Sequence, residues 1–374
     1  MTRFALAHAK ADSPEAVAAA LIARLKQQLE APGGVDPSRS PLCFLYVTDQ
    51  LAEHADQLHG LLREATGLSN WLGTVGMGVC ATGTEYFDVP AAAVMVTDIP
   101  ASSFRMFRLE EPATDGIPSS QTCFGIMHGD PRSPDVELGL QRVCESMALG
   151  FLVGGLASSR GSYPQFAGGP TRAACSGLLL DDSVAVQTRL TQGCVPIGAR
   201  HEVTRMEGEL LLELDGRSAL ETFTDEVSGA LGSASAANIR SCAYVGLPVA
   251  GSDRADYLVR NLVGVEPNRK ALAVAHPLSP GDTMFFCRRD RNAAISDLER
   301  MLEEVRQASD GRPPKGALYV SCLARGPNLF GPDSEELKTI QSVFGDLPLV
   351  GFFANGEISH DRLYGYTGVL TVFL

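Results

Sequence analysis

Tryptophan occurs once, at Trp71, in a chain of 374 residues, and positive charge is scarce: 31 Lys and Arg stand against 44 Asp and Glu, a net charge of −13. No Lys/Arg stripe offsets that excess locally, so no nucleic-acid partner is expected. The nine cysteines sit singly, with no Cys-x-x-Cys pair and no Cys/His cluster at zinc spacing. They read as reduced thiols packed into apolar strands, as around Cys175 and Cys287, and imply a cytoplasmic location. No uninterrupted apolar run reaches about 18 residues, so membrane insertion is not expected. The N-terminus moves quickly into Lys10, Asp12 and Glu15, unlike a secretory leader. No Gly-x-Gly-x-x-Gly follows a strand and opens a helix, and no Lys-Ser/Thr follows Gly154-Gly155, which removes the dinucleotide fingerprint and the P-loop.

What is present is an ordinary globular balance, 45% hydrophobic and 20% charged, in a chain long enough for two cores, since single cores stop growing at roughly 250–300 residues. Three stretches repeat one pattern. Phe44-Leu45-Tyr46-Val47 leads through a helix-period segment ending at Gly67 to Trp71-Leu72-Gly73 and a strand around Val94-Met95-Val96. Ala317-Leu318-Tyr319-Val320 opens the same series, passing Gly345 and Leu349-Val350-Gly351 to Val369–Phe373. A weaker copy runs from Phe124 through Gly150 and Leu152-Val153-Gly154 to Leu178-Leu179-Leu180.

Ser13-Pro14-Glu15 starts a helix with Val17, Leu21, Leu25 and Leu29 on one stripe. Glycines 67, 150 and 345 are expected to end three helices alike. Between Leu178 and Leu214 short alternating segments, Val184 to Leu190, Val195 to Ile197 and Val203, predict antiparallel strands, and Ser218 with Glu221 forms a capping box. Further strands are expected near 243–249, 257–263, 271–275 and 284–287. The expected fold is α+β: layered sheets packed back to back with helices outside, built from repeated strand-helix-strand-strand units. A doubly wound fold is the alternative. The domain boundary is placed near Gly216, giving 1–216 and 217–374.

Binding groups usually sit in loops at strand ends. The strand Tyr319–Cys322 runs into Leu323-Ala324-Arg325-Gly326-Pro327-Asn328-Leu329-Phe330-Gly331. Arg325 offers a planar fork suited to a carboxylate, Phe330 an apolar wall, and Cys322 a thiol that either packs, lines a ligand or attacks one. The alternative use of Arg325 is to tie its loop to its own backbone or to an acidic neighbour. Ala354-Asn355-Gly356-Glu357 ends another strand, and Glu357 either receives an amino group or pairs with Arg325. Ala81-Thr82-Gly83-Thr84-Glu85 is its counterpart in the first stretch, and Gly154-Gly155 is the third strand end. His128 closes the second stretch's opening strand; the seven histidines show no metal spacing.

These segments resemble the FIST family, F-box and intracellular signal transduction proteins: residues of roughly 35 to 215 its N-terminal domain, and 316–374 the end of its C-terminal domain. The resemblance implies a sensory input module that binds a small ligand, with amino acids as one class, and no cofactor or catalysis of its own. Candidate ligand contacts are Cys322, Arg325, Gly326, Phe330, Asn355, Gly356, Glu357, Gly83, Glu85, Gly154 and Gly155. Some relatives are haem-binding nitric-oxide sensors that regulate a partner histidine kinase, which gives a haem-based sensor as the first alternative, with His128 or another loop His as the axial ligand. Any output is expected to pass through a separate signalling protein. An enzyme using Cys322 is the second alternative.

Overall fold

The computed structural model describes residues 4–109, 122–147, 150–249 and 257–374. Ser13 caps the first helix as its sequence predicts, its hydroxyl accepting the Ala16 N–H at 3.2 Å. The chain opens with β1 (Ala5–Lys10), α1 (Pro14–Leu29), β2 (Leu42–Thr48), α2 (Ala55–Thr66), β3 (Asn70–Gly76), the hairpin β4 (Gly78–Ala81) and β5 (Thr84–Phe87), and β6 (Ala91–Val96). Next come β7 (Phe104–Leu109), β8 (Phe124–Gly129), α3 (Val136–Ser146), β9 (Phe151–Leu156), the hairpin β10 (Gln165–Ala167) and β11 (Gly169–Thr171), β12 (Cys175–Leu180) and β13 (Val186–Gln192).

A run of β14 (Cys194–Glu207), β15 (Leu210–Leu214), β16 (Arg217–Ser218), α4 (Ala219–Leu231), α5 (Ala236–Ser241), β17 (Tyr244–Pro248), β18 (Tyr257–Glu266), β19 (Ala271–Val274) and β20 (Thr283–Arg289) follows. The last stretch holds α6 (Arg291–Ala308), β21 (Gly316–Cys322), α7 (Glu335–Phe344), β22 (Leu349–Ala354), β23 (Glu357–His360), β24 (Arg362–Tyr364) and β25 (Thr367–Phe373). None of the described helices is long and apolar enough to cross a membrane.

Two compact units result, one of Met1–Thr191, Ile295–Leu363 and Thr367–Leu374, the other of Gln192–Ala294 and Tyr364–Tyr366. They do not coincide with a cut at 216. The reason is strand pairing: β22 bonds to β4, with Val350 opposite Ala81, so the end of the chain completes a sheet begun near its start.

The first unit holds three six-stranded sheets, ordered β1-β6-β2-β3-β10-β11, β24-β23-β9-β8-β12-β7 and β13-β25-β21-β22-β4-β5. Each contains one parallel pair, β2/β3, β8/β9 or β21/β22, separated in sequence by α2, α3 or α7. The hairpins are exchanged between sheets: β4-β5 joins the sheet of β21/β22, β10-β11 that of β2/β3, and β23-β24 that of β8/β9. At one register step in each pair a glycine, Gly73, Gly154 or Gly351, lies opposite Leu45, Met127 or Tyr319. A Cβ there would stand 1.7, 1.9 or 1.7 Å from the facing carbonyl oxygen. Only glycine fits that approach.

The sheets share an apolar core to which Phe44, Tyr46, Ile126, Val153, Leu318, Phe352 and Phe373 contribute. Their other faces are covered by helices, α1 and α2 burying Leu21, Leu25, Leu58 and Leu62, and α3 burying Leu140 and Val143. The architecture is α+β. The helix ends are less uniform than the glycines suggest. Gly67 caps α2 in the left-handed conformation, Gly345 follows α7 at φ 65° and ψ −143°, and α3 stops at Ser146 with Met147 as its cap.

In the second unit, β14-β20-β17-β18-β19-β15 runs in order and β15 pairs back onto β14, closing a six-stranded barrel. Phe223 and Val227 of α4 fill its core beside Val245, Leu272 and Phe286. The separate segments expected at 195–197 and 203 are one strand, β14, interrupted by a register shift between Ile197 and His201.

Candidate functional site

Strand β21 delivers Cys322 to its end, and the chain turns at once, Arg325 N–H donating to the Cys322 carbonyl at 2.8 Å. This tight turn sends the Arg325 side chain inward, where it is 0% exposed. A buried guanidinium needs an anion. It finds Glu336, also 0% exposed, whose Oε1 accepts from Arg325 Nε at 2.8 Å. Glu336 shares the buried stripe of α7 with Leu337 and Ile340. Its carboxylate further accepts from Tyr319 Oη at 2.6 Å, Ser321 Oγ at 3.2 Å and Gly326 N–H at 2.8 Å. The Phe330 ring covers the guanidinium, its centroid 4.9 Å from Cζ. Burial works against the Arg325 charge, but Glu336 and Tyr319 outweigh it and hold the group protonated.

This pairing leaves both terminal nitrogens of Arg325, Nη1 and Nη2, buried with no partner among the described residues. Glu357 opens β23, opposite Gly155 of β9. Its Oε2 accepts from Thr367 N–H at 3.1 Å and Thr367 Oγ1 at 2.8 Å. Its Oε1 is buried and likewise without a hydrogen-bond partner among the described residues. Burial pushes the Glu357 carboxyl up to about 8 against the Thr367 donors, the Arg325 charge and the neighbouring Cys322 thiol. Arg325, Glu357 and Cys322 are therefore brought within electrostatic reach of one another, and the partner of Arg325 is Glu336, not Glu357.

The exchanged hairpin β4-β5 carries Glu85 to the same loop. Its Oε1 accepts from Leu337 N–H at 3.4 Å and its own N–H donates to Ser334 Oγ at 2.8 Å, so it caps α7. Burial, then the Glu336 charge, pushes the Glu85 carboxyl up to about 8. Gly326, at φ +50°, passes where a Cβ would meet the Phe353 ring at 2.6 Å and Glu85 Oε2 at 3.2 Å.

A Cβ on Gly83 would strike the Gln341 side chain at 2.1 Å, and one on Gly155 would meet the Gly356 carbonyl oxygen at 2.8 Å and the Ala354 Cβ at 2.9 Å. Asn355 is exposed and ties its N–H to Leu156 O at 3.0 Å, while Gly356 O accepts from Leu156 N–H at 2.9 Å. His128 is 0% exposed in the shared core, Nε2 3.2 Å from Tyr46 Oη and edge-on to Phe352. Burial pushes its pKa down to about 3. It is enclosed by the protein's own aromatic rings. Among the described residues no group of three or more His, Cys, Asp and Glu could hold a metal ion.

Sequence reasoning missed Glu336, Tyr319, Ser321 and Thr367. Glu336 reads as one of two acids at a helix start, ordinarily solvated. Its one signal is position: it lies four residues before Ile340, on the stripe that is otherwise apolar.

Residues 41–217 match the FIST N domain and residues 202–360 the FIST C domain. The chain belongs to the FIST family. FIST domains are sensory domains of signal transduction. A protein of Mycobacterium tuberculosis (strain ATCC 25618 / H37Rv), named only as uncharacterized, is 28% identical over 350 residues, 86% of this chain and 88% of its own length. One of Mycobacterium bovis, named in the same way, is 33% identical over 193 residues, 50% of each chain.

Proposed function

We propose that this FIST protein is a cytoplasmic sensory module that binds a small carboxylate-bearing ligand, amino acids being the class, at the Arg325/Glu336/Glu357 cluster. The reading is carried by three buried atoms with no partner among the described residues, Arg325 Nη1, Arg325 Nη2 and Glu357 Oε1. Each buried polar group left unsatisfied costs about 1–3 kcal/mol, more when charged, and a ligand with the complementary groups recovers that cost. The guanidinium fork takes a carboxylate in two parallel hydrogen bonds. Glu357 Oε1 takes an amino group, Phe330 walls the fork, and Cys322 lines the floor. The signal passes to a separate partner protein.

Thermal-shift screening against the twenty amino acids tests this. A ligand at 100 times its Kd raises stability by about 2.7 kcal/mol, readily seen as a shift in Tm. Arg325→Lys, which keeps the charge and loses the fork, should abolish the shift without unfolding the protein. If no amino acid moves the melting temperature of the wild-type protein, the amino-acid reading is wrong.

A further inference from the structure

We infer that Glu336 is the specificity-determining residue of this site, cancelling the Arg325 charge so that the cluster takes zwitterions and rejects simple carboxylates of the same skeleton. The inference rests on the reading of the cluster as a ligand site and adds what that site discriminates.

An arginine that recognises an anion usually offers its whole positive charge. Here that charge is spent before a ligand arrives, because Glu336 is wholly buried, grips Nε at 2.8 Å and is itself held by Tyr319, Ser321 and the Gly326 N–H. The grip leaves the hydrogen-bonding fork of Arg325 open, since Nη1 and Nη2 have no partner among the described residues.

The rest of the cluster adds no net charge. Glu357 and Glu85 both have carboxyls pushed up to about 8 and stay protonated at neutral pH. The Cys80 thiol is pushed well up by burial first and then by Glu85 and Glu336, the Tyr319 phenol by burial first and then by the Glu336 charge, and both stay neutral. The groups acting on Glu357 are Thr367 of β25, Arg325 and Cys322, and across β9 it faces Gly155, which carries no charge.

The resting cluster therefore holds one cation and one anion. A 2-hydroxy acid or 2-oxo acid binding the fork would bring an uncompensated negative charge into a buried site, which is strongly unfavourable. An amino acid brings its own ammonium beside Glu357 Oε1, and the site stays neutral. Specificity thus comes from a built-in penalty against the wrong ligand as much as from contacts with the right one.

The test is isothermal titration of the full-length protein with matched pairs: alanine against lactate, serine against glycerate, leucine against 2-hydroxyisocaproate. Whichever amino acid binds should do so at least about tenfold more tightly than its hydroxy acid. In Glu336→Gln the released Arg325 charge should shift the ratio toward the hydroxy acid by about tenfold or more. Glu336→Asp, which keeps the charge, should restore the preference for the amino acid. Equal binding of both partners of a pair by the wild-type protein overturns the inference while leaving the ligand site standing, a comparison that does not depend on any variant folding. An unchanged ratio in a folded Glu336→Gln overturns it too. Binding of neither member of any pair removes the site reading, and this inference with it.

Discussion

Replacing Glu336 by Gln should destabilise the first compact unit by about 3–5 kcal/mol, the usual range when one partner of a buried ion pair is removed. Two observations place the effect in the upper part of that range. Glu336 and Arg325 are both fully buried, so water does not take over the lost role. The carboxylate also accepts from Tyr319, Ser321 and the Gly326 N–H, at 2.6, 3.2 and 2.8 Å, and an amide has one acceptor oxygen where the acid has two. Since domains are stable by only about 5–15 kcal/mol, a large share of the total is at stake. The protein supplies its own probe. Its one tryptophan, Trp71, is buried in β3 with its Nε1 donating to Leu68 O at 2.8 Å, and it lies in the same unit as Glu336. Urea unfolding followed by Trp71 fluorescence therefore reads that unit and not the barrel. The double variant Arg325→Met/Glu336→Leu should cost less than the sum of the two singles by about 2 kcal/mol or more, because neither charge is then stranded. A coupling below about 0.5 kcal/mol would show that the pair contributes nothing as a pair, and would refute the reasoning.

The pH dependence of stability follows from Glu357: its folded pKa near 8 lies above the usual carboxyl value of 4.5, so the folded state binds that proton more tightly than the unfolded state. Its contribution is fully present below about pH 4.5 and is lost as pH rises toward 8, at up to about 1.4 kcal/mol per unit; urea midpoints of wild type and Glu357→Gln should converge at low pH and separate, with the variant the more stable, by pH 8. Gly351→Ala should prevent folding, since its Cβ would lie 1.7 Å from Tyr319 O, whereas Gly67→Ala, at φ +71° in open space, should cost roughly 1–2 kcal/mol; expression and circular dichroism of both variants decide this. Native-state titration with a thiol reagent should modify Cys123, the one cysteine that is not buried, ahead of the other eight, and rapid reaction of Cys322 instead would revive a nucleophilic role for it.

Local signals in the chain proved legible where the physics is local. Ser13-Pro14 announces α1, and the repeated apolar strands with their glycines stand out, because a glycine forced by a facing carbonyl leaves a fixed mark in the sequence, although the parallel pairing of those strands does not show there. Arg325 and Phe330 could be singled out because an arginine and an aromatic ring in a Gly/Pro loop at a strand end either hold the loop down or face a ligand. The exchange of hairpins was not legible: β4-β5 has the same alternating residues and the same Gly83 turn whichever sheet receives it, and its partner β22 lies far along the chain.

That exchange is also why the true partner of Arg325 stayed hidden. An acid in the first turn of a helix is favoured by the helix dipole in water, and nothing in Ser334-Glu335-Glu336-Leu337 distinguishes one glutamate from the other except the phase of the buried stripe. Glu335 falls off that stripe and Glu336 falls on it. The phase matters because Glu85, arriving on the hairpin from a distant part of the chain, caps α7 from outside, leaving the Glu336 carboxylate for Arg325. Shortening the β4-β5 turn by deleting Gly83 should therefore disturb α7 and the guanidinium together, although neither residue 325 nor residue 336 is touched. The measurable consequence is faster amide exchange at Leu337 than in the wild type. Unchanged exchange at Leu337 in the folded deletion variant would mean that α7 holds its start, and Glu336 its place, without the borrowed hairpin.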